Sequence, residues 1–132
     1  MNKETEAGNS LLIIDDDANF REIFSAKLTA AGYKVETASS GEEGVAKAKK
    51  LKPHLILMDM QMPGGISGAD ALVKLKKQEE TKEVKVVFLT NFGDAGMEAT
   101  EKLVAAQLGA LDYFKKSEDL DVLVQKIKTY LT

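Results

Sequence analysis

Leu11-Leu12-Ile13-Ile14-Asp15-Asp16-Asp17 is a short apolar run that breaks off into three carboxylates, and its form recurs along the chain. Leu55-Ile56-Leu57-Met58 stops at Asp59, Val86-Val87-Phe88-Leu89 stops at Thr90, and Asp112-Tyr113-Phe114 leads into Lys115-Lys116. Strands buried on both faces read as continuous apolar runs, and open parallel sheets carry their functional groups just past the strands' carboxyl ends. Folding on that plan would bring Asp15, Asp16, Asp59, Thr90 and Lys116 to one rim.

Between these runs lie amphipathic stretches, the sequence form of repeated strand-helix-strand units with a parallel sheet covered on both sides. Five strands and five helices are expected. The first helix starts with Asp17 as N-cap, buries Phe20, Ile23, Phe24, Leu28 and Ala31 at three-four spacing, and ends at Gly32. A strand over 33–37 follows. Ser40 and Glu43 then form a capping box for a helix with apolar positions Val45, Ala48 and Leu51, which Pro53 ends. The strand 55–58 comes next, then a turn at Gly64, Gly65, Ser67 and Gly68. Ala71, Leu72 and Leu75 mark a third helix to about Glu80, before a strand over 84–89. Residues 91–96 read as a loop, and 97–108 as a helix burying Leu103, Val104 and Leu108 with Gly109 as its stop. After a short strand over 111–115, Leu120, Leu123, Val124, Ile127 and Leu131 line a final helix capped by Ser117 or Asp119.

The chain has 132 residues, 44% hydrophobic and 30% charged, which suits one domain with its own core and is too little for two. Residues 1–9 are polar and aperiodic and read as a flexible tail, leaving 10–132 as the domain. There is no cysteine, so disulfides and thiolate chemistry are excluded and a cytoplasmic location is expected. Apolar runs of about four residues are far short of a membrane span. The net charge of −3, with 18 basic and 21 acidic residues interspersed, offers no stripe for direct nucleic-acid binding.

Magnesium prefers a few carboxylate oxygens plus waters and commonly bridges them to a phosphate, which Asp15, Asp16 and Asp59 would suit. Gathered without a cation, they would repel one another and raise at least one carboxyl pKa. Other candidates yield to plainer roles. His54, the single histidine, has no partner for a metal or a relay and reads as structural. Met58, Met60 and Met62 read as packing. Residues 15–19 open like a calcium loop, but Phe20 stands where the glycine is needed and Ala26 where the bidentate glutamate is needed. The glycines of 64–68 lack the lysine and hydroxyl residue of a nucleotide-phosphate loop.

Taken together and in order, Ile14-Asp15-Asp16, Met58-Asp59-Met60-Gln61-Met62-Pro63, Leu89-Thr90 and Gly109-Ala110-Leu111-Asp112-Tyr113-Phe114-Lys115-Lys116 resemble the receiver domain of two-component response regulators. The likeness runs from Ser10 to Leu131 and suggests the stand-alone type. It implies a flavodoxin-like doubly wound sheet in strand order 2-1-3-4-5 with five helices. It further implies that Asp59 is the phosphoacceptor, a carboxylate nucleophile for a sensor histidine kinase or phosphotransfer protein. By the same resemblance Asp16 and Asp59 would hold magnesium directly, Asp15 through water, and the Gln61 backbone carbonyl would complete the protein ligands. Thr90 and Lys116 would bind the phosphoryl oxygens, and Tyr113 with Thr90 would form the conformational switch. Counting from Gly109 favours Lys116 over Lys115, which alternation sends to the opposite face.

Four departures from the family pattern stand out. Asn91 follows Thr90 in place of a very small residue, and Ser117 follows the lysine in place of a cis proline, so a trans bond is expected there. The loop before Gly68 is about one residue longer than usual, and 91–109 is longer by about one helical turn. Phe92 and Gln61 flank the expected path of attacking water and are expected to set the lifetime of the phosphorylated state. Output would pass through the fourth helix, fifth strand and fifth helix to a downstream protein or a homodimer partner. On this reading the chain is a signalling phosphoacceptor, not an enzyme with a separate substrate. Two alternatives are kept: a degenerate receiver binding partners independently of phosphorylation, and a haloacid-dehalogenase-like phosphatase using Asp15 and Asp17.

Overall fold

The computed structural model describes residues 9–91, 103 and 106–131. Five parallel strands form one sheet: β1 (Ser10–Ile14), β2 (Lys34–Ala38), β3 (Leu55–Asp59), β4 (Lys85–Thr90) and β5 (Asp112–Lys115), in the order β2-β1-β3-β4-β5. Four helices connect or follow them in full: α1 (Ala18–Ala30), α2 (Gly41–Leu51), α3 (Gly68–Lys77) and, at the C-terminus, α5 (Leu120–Leu131). Helical residues Leu103 and 106–108 belong to the expected helix before β5, here α4. The fold is the doubly wound α/β architecture read from the sequence.

Two-residue alternation explains the layering. Leu12, Ile14, Ile56, Met58, Val86 and Phe88 face a core shared with α2 and α3, while Leu11, Ile13, Leu55, Leu57, Val87 and Leu89 face one shared with α1 and α5. A central strand with both faces covered must be apolar throughout, and burial of each such side chain contributes about 1.5–3 kcal/mol. The buried Met58, Met60 and Met62 pack in the first of these cores. His54 is tied to β1 instead, its Nδ1 3.0 Å from Ser10 Oγ and its N–H donating to the Ser10 carbonyl.

The helix ends follow local chemistry. Asp17 Oδ1 accepts from the Asn19 and Phe20 N–H groups at the start of α1, and Gly32, with φ +103°, turns the chain out of it. Ser40 Oγ accepts from Glu43 N–H, but the Glu43 carboxylate reaches back to Ser39 N–H and Oγ, at 2.8 and 2.9 Å. Those bonds hold the Glu43 carboxyl below its usual pKa. At α5 the cap is Asp119, whose Oδ1 accepts from Asp121 N–H, and not Ser117.

Several expectations need correction. The spacing places Ile23, Ala31 and Leu103 on buried helix faces and Leu51 among the apolar positions of α2, yet all four are exposed, Ile23 by 55% and Leu103 by 60%. In α1 only the 24/28 row faces the sheet squarely, with Phe20 half-buried above it; Ile23 sits one residue, about 100°, off that row. The third helix stops at Lys77, not Glu80, because Thr81 Oγ1 donates to the Leu75 carbonyl at 2.7 Å and closes the last turn. Residues 1–8, Phe92 and Val104 lie outside the described residues, as does most of the expected 97–108 helix.

Gly68 is where sterics fix the approach to the rim. A Cβ there would collide with the Asp59 carbonyl oxygen and come within 2.9 Å of Met60 Cα, both backbone atoms that cannot swing aside. Gly68→Ala is therefore expected to destabilise the fold by about 2–3 kcal/mol, measured as a lower urea midpoint at unchanged slope.

Candidate functional site

The site forms where the strand order reverses, between the carboxyl ends of β1 and β3. Ile14 is in register with Met58, so the next residues, Asp15 and Asp59, emerge side by side; Asp59 in turn pairs with Leu89, one residue before Thr90. Thr90 pairs with Lys115 on β5, and the Thr90 carbonyl accepts the Lys116 N–H at 2.7 Å. That last bond sets the backbone from which the Lys116 side chain enters the cavity.

Asp15 is fully buried. Its Oδ1 accepts the Asp17 N–H at 2.9 Å, its Oδ2 lies 2.7 Å from Lys116 Nζ, and its carbonyl accepts from Arg21 Nη1 at 2.7 Å. Asp59 is also buried: Oδ1 accepts the Gln61 N–H at 3.2 Å, and Oδ2 stands 3.6 Å from Lys116 Nζ. Asp16 is exposed at the mouth, and oxygens of Asp15, Asp16 and Asp59 lie within 4.8 Å of one another. The structure thus brings four of the sequence-predicted residues together, with buried Thr90 at the neighbouring strand end. Lys116, not Lys115, supplies the amine, and the Lys116–Ser117 bond is trans. Tyr113 is half-buried on β5 beside Phe88, and Gln61 lies on the loop just past Asp59 with an exposed side chain.

Burial and the neighbouring Asp15 charge push the Asp59 carboxyl up to about 7; Lys116 and the Gln61 N–H pull the other way, and Asp16 adds to the rise. Two buried carboxylates, Asp15 and Asp59, share one ammonium, and exposed Asp16 adds negative charge at the mouth. Their oxygen-only chemistry and close spacing fit a divalent cation such as magnesium, with Asp16 open to solvent to receive it.

Sequence reasoning missed three supporting residues. Phe20, assigned to the α1 core face, has its ring centroid 4.5 Å from Lys116 Nζ. Arg21 holds the Asp15 carbonyl, and Gly68 lets α3 start against Asp59. No local signal marks Phe20, because its partner is distant in sequence; Gly68 was read only as a turn glycine.

Fold and site together define a doubly wound α/β protein with an acidic pocket at its topological switch point. Residues 11–128 match the response regulator receiver domain, and the chain belongs to that family. It is 34% identical to protein PilH of Pseudomonas aeruginosa over 121 residues, 92% of this chain and 96% of PilH. The chemotaxis response regulator CheY4 of Vibrio cholerae superposes with a TM-score of 0.83 at 28% identity, covering 93% of this chain and 98% of CheY4. TrrA of Thermotoga maritima, solved in complex with Mg(2+)-BeF, gives 0.78 at 31% identity, with 93% and 99% covered. The chain spans about half the length of the transcriptional regulators RpaA and PhoB, which it also matches. Among the described residues no helix is long and apolar enough to cross a membrane.

Proposed function

We propose that Asp59 accepts a phosphoryl group, in a magnesium-dependent reaction, from the phosphohistidine of a sensor histidine kinase or phosphotransfer protein. The observation that carries this reading is the convergence on buried Asp59 of an acidic cluster suited to a cation and the amine of Lys116. In the transfer, an Asp59 carboxylate oxygen forms the new P–O bond as the donor's P–N bond breaks, the electron pair leaving with the imidazole nitrogen. Magnesium, when bound by Asp16, Asp59 and the Gln61 carbonyl with Asp15 behind it, supplies charge neutralisation for the phosphoryl oxygens. Lys116 and Thr90 bind the same oxygens from the β4 and β5 side. Positioning is the protein's main contribution, since little covalent chemistry is asked of it.

The phosphorylated form biases a two-state equilibrium through contacts that differ between the states, with Thr90 and Tyr113 as the moving pair. Output passes through α4, β5 and α5 to a protein target or a second copy; exposed Leu103 and Leu111, which bracket the approach to β5, support an apolar contact there. The whole unit, 10–132, acts as one receiver domain in the cytoplasm, without direct contact to nucleic acid or membrane. Against the phosphatase reading, Asp17 Oδ1 is already engaged by the Asn19 and Phe20 N–H groups at the start of α1.

The experiment is intact-protein mass spectrometry after incubation with magnesium and a small phosphodonor. Gain of one phosphoryl mass, lost on chelation of the metal, is expected. Magnesium binding without any gain, and with partner affinity unchanged by phosphodonor, would instead favour the phosphorylation-independent module.

A further inference from the structure

We infer that Phe20 is a positioning residue for Lys116: its ring keeps the ammonium facing Asp59 when the acidic cluster takes up a cation. The inference rests on the function proposed above and deepens it at the same site. Among the described residues, Lys116 Nζ meets Asp15 Oδ2 at 2.7 Å, Asp59 Oδ2 at 3.6 Å and the Phe20 ring at 4.5 Å. Its side chain is almost fully enclosed, so the contact with the ring is made away from water, where the attraction between a cation and an aromatic face is strongest.

The closest of these contacts is also the most easily lost. Asp15 Oδ1 already accepts the Asp17 N–H, so a cation drawing on the Asp15 carboxylate competes with Lys116 for Oδ2. The attraction to Phe20 depends on no carboxylate and survives that competition. The ring is itself held in place: the Phe20 N–H donates to Asp17 Oδ1 at 3.2 Å, and Phe24 packs against the ring at a centroid distance of 5.4 Å. Phe20 is thereby fixed to the same loop that carries Asp15 and Asp16. Misplacement of the Lys116 amine by about 1 Å can slow a positioned reaction severely.

The test compares Phe20→Leu, which keeps apolar bulk without an aromatic face, with Phe20→Tyr, which keeps the face. Leu is expected to slow phosphoryl uptake from a small phosphodonor about tenfold and to weaken beryllofluoride binding in parallel. Magnesium affinity, measured with the metal alone, is expected to stay within about twofold, because the carboxylates are untouched. Tyr is expected to restore the wild-type rate. In a Lys116→Met background Phe20→Leu is expected to add nothing, since the ring acts through the amine. A wild-type rate in Phe20→Leu, equal slowing in Phe20→Tyr, or further slowing on top of Lys116→Met overturns the inference. Should wild-type protein gain no phosphoryl group at all, the functional reading fails, and the inference is then read by NMR. The ring-current shift of the Lys116 ε-methylene protons must persist in magnesium-saturated wild type and vanish in Phe20→Leu; its loss on adding magnesium to wild type would refute the positioning role. If Phe20→Leu does not fold, Phe20→Met replaces it in every arm.

Discussion

Asp59→Asn is expected to abolish phosphoryl gain and, in metal-free buffer near pH 8, to make the protein more stable than wild type. The first effect follows because an amide is no nucleophile toward phosphorus at neutral pH. The second follows from the electrostatics. The Asp59 carboxyl, at about 7 against an ordinary 3.8, is raised by burial and by Asp15. Between those values the unfolded chain has released a proton that the folded chain retains, so stability falls as pH rises through this window. The penalty is absent below about pH 4 and complete above about pH 7. With solvent screening through the open Asp16 side discounted, the variant should gain about 2 kcal/mol at pH 8 and nothing at pH 4. Thermal melts across the range check the sign. Magnesium should stabilise wild type and leave the variant nearly unmoved, since one of the three ligand carboxylates is gone. A variant less stable than wild type at pH 8 would refute this account of the pocket.

Lys116→Met removes the only ammonium that touches Asp15 and Asp59 among the described residues. Truncating one partner of a buried ionic cluster leaves the other charges uncompensated, and the cost here should be about 3 kcal/mol at pH 8 without metal. Lower pH should recover much of it as Asp59 takes a proton. Magnesium should recover it too, and should bind Lys116→Met more tightly than wild type, because Asp15 Oδ2 no longer has a competing partner. Urea unfolding at pH 6 and pH 8, with and without magnesium, separates these effects; calorimetric titration gives the affinity. Weaker magnesium binding in the variant would show that Lys116 supports the cation site instead of competing with it.

Much of this site is legible before folding. Apolar runs ending at Asp15, Asp59 and Thr90 are strands that must be buried on both faces, and a parallel sheet aligns their carboxyl ends at one rim. Stops such as Gly32 and Gly109, both with positive φ, are equally local. Helix faces are less so. Three-four spacing admits Ile23 to the same broad stripe as Phe24, and only the angle at which α1 meets the sheet decides that Ile23 is exposed. The end of α3 is not local either, because the Thr81 hydroxyl, beyond the helix, closes on the Leu75 carbonyl.

By itself the sequence determined the strands of a parallel sheet and the identity of the groups at its rim, because strand burial and loop chemistry act over a few residues; the crossing order followed only from the family resemblance. The tertiary structure alone decided which oxygen of Asp15 meets Lys116, how strongly Asp59 holds its proton, and that Phe20 overlies the amine. Those properties depend on ångström-scale distances and on exclusion of water, which exist only once α1, β3 and the turn after β5 have closed around one cavity.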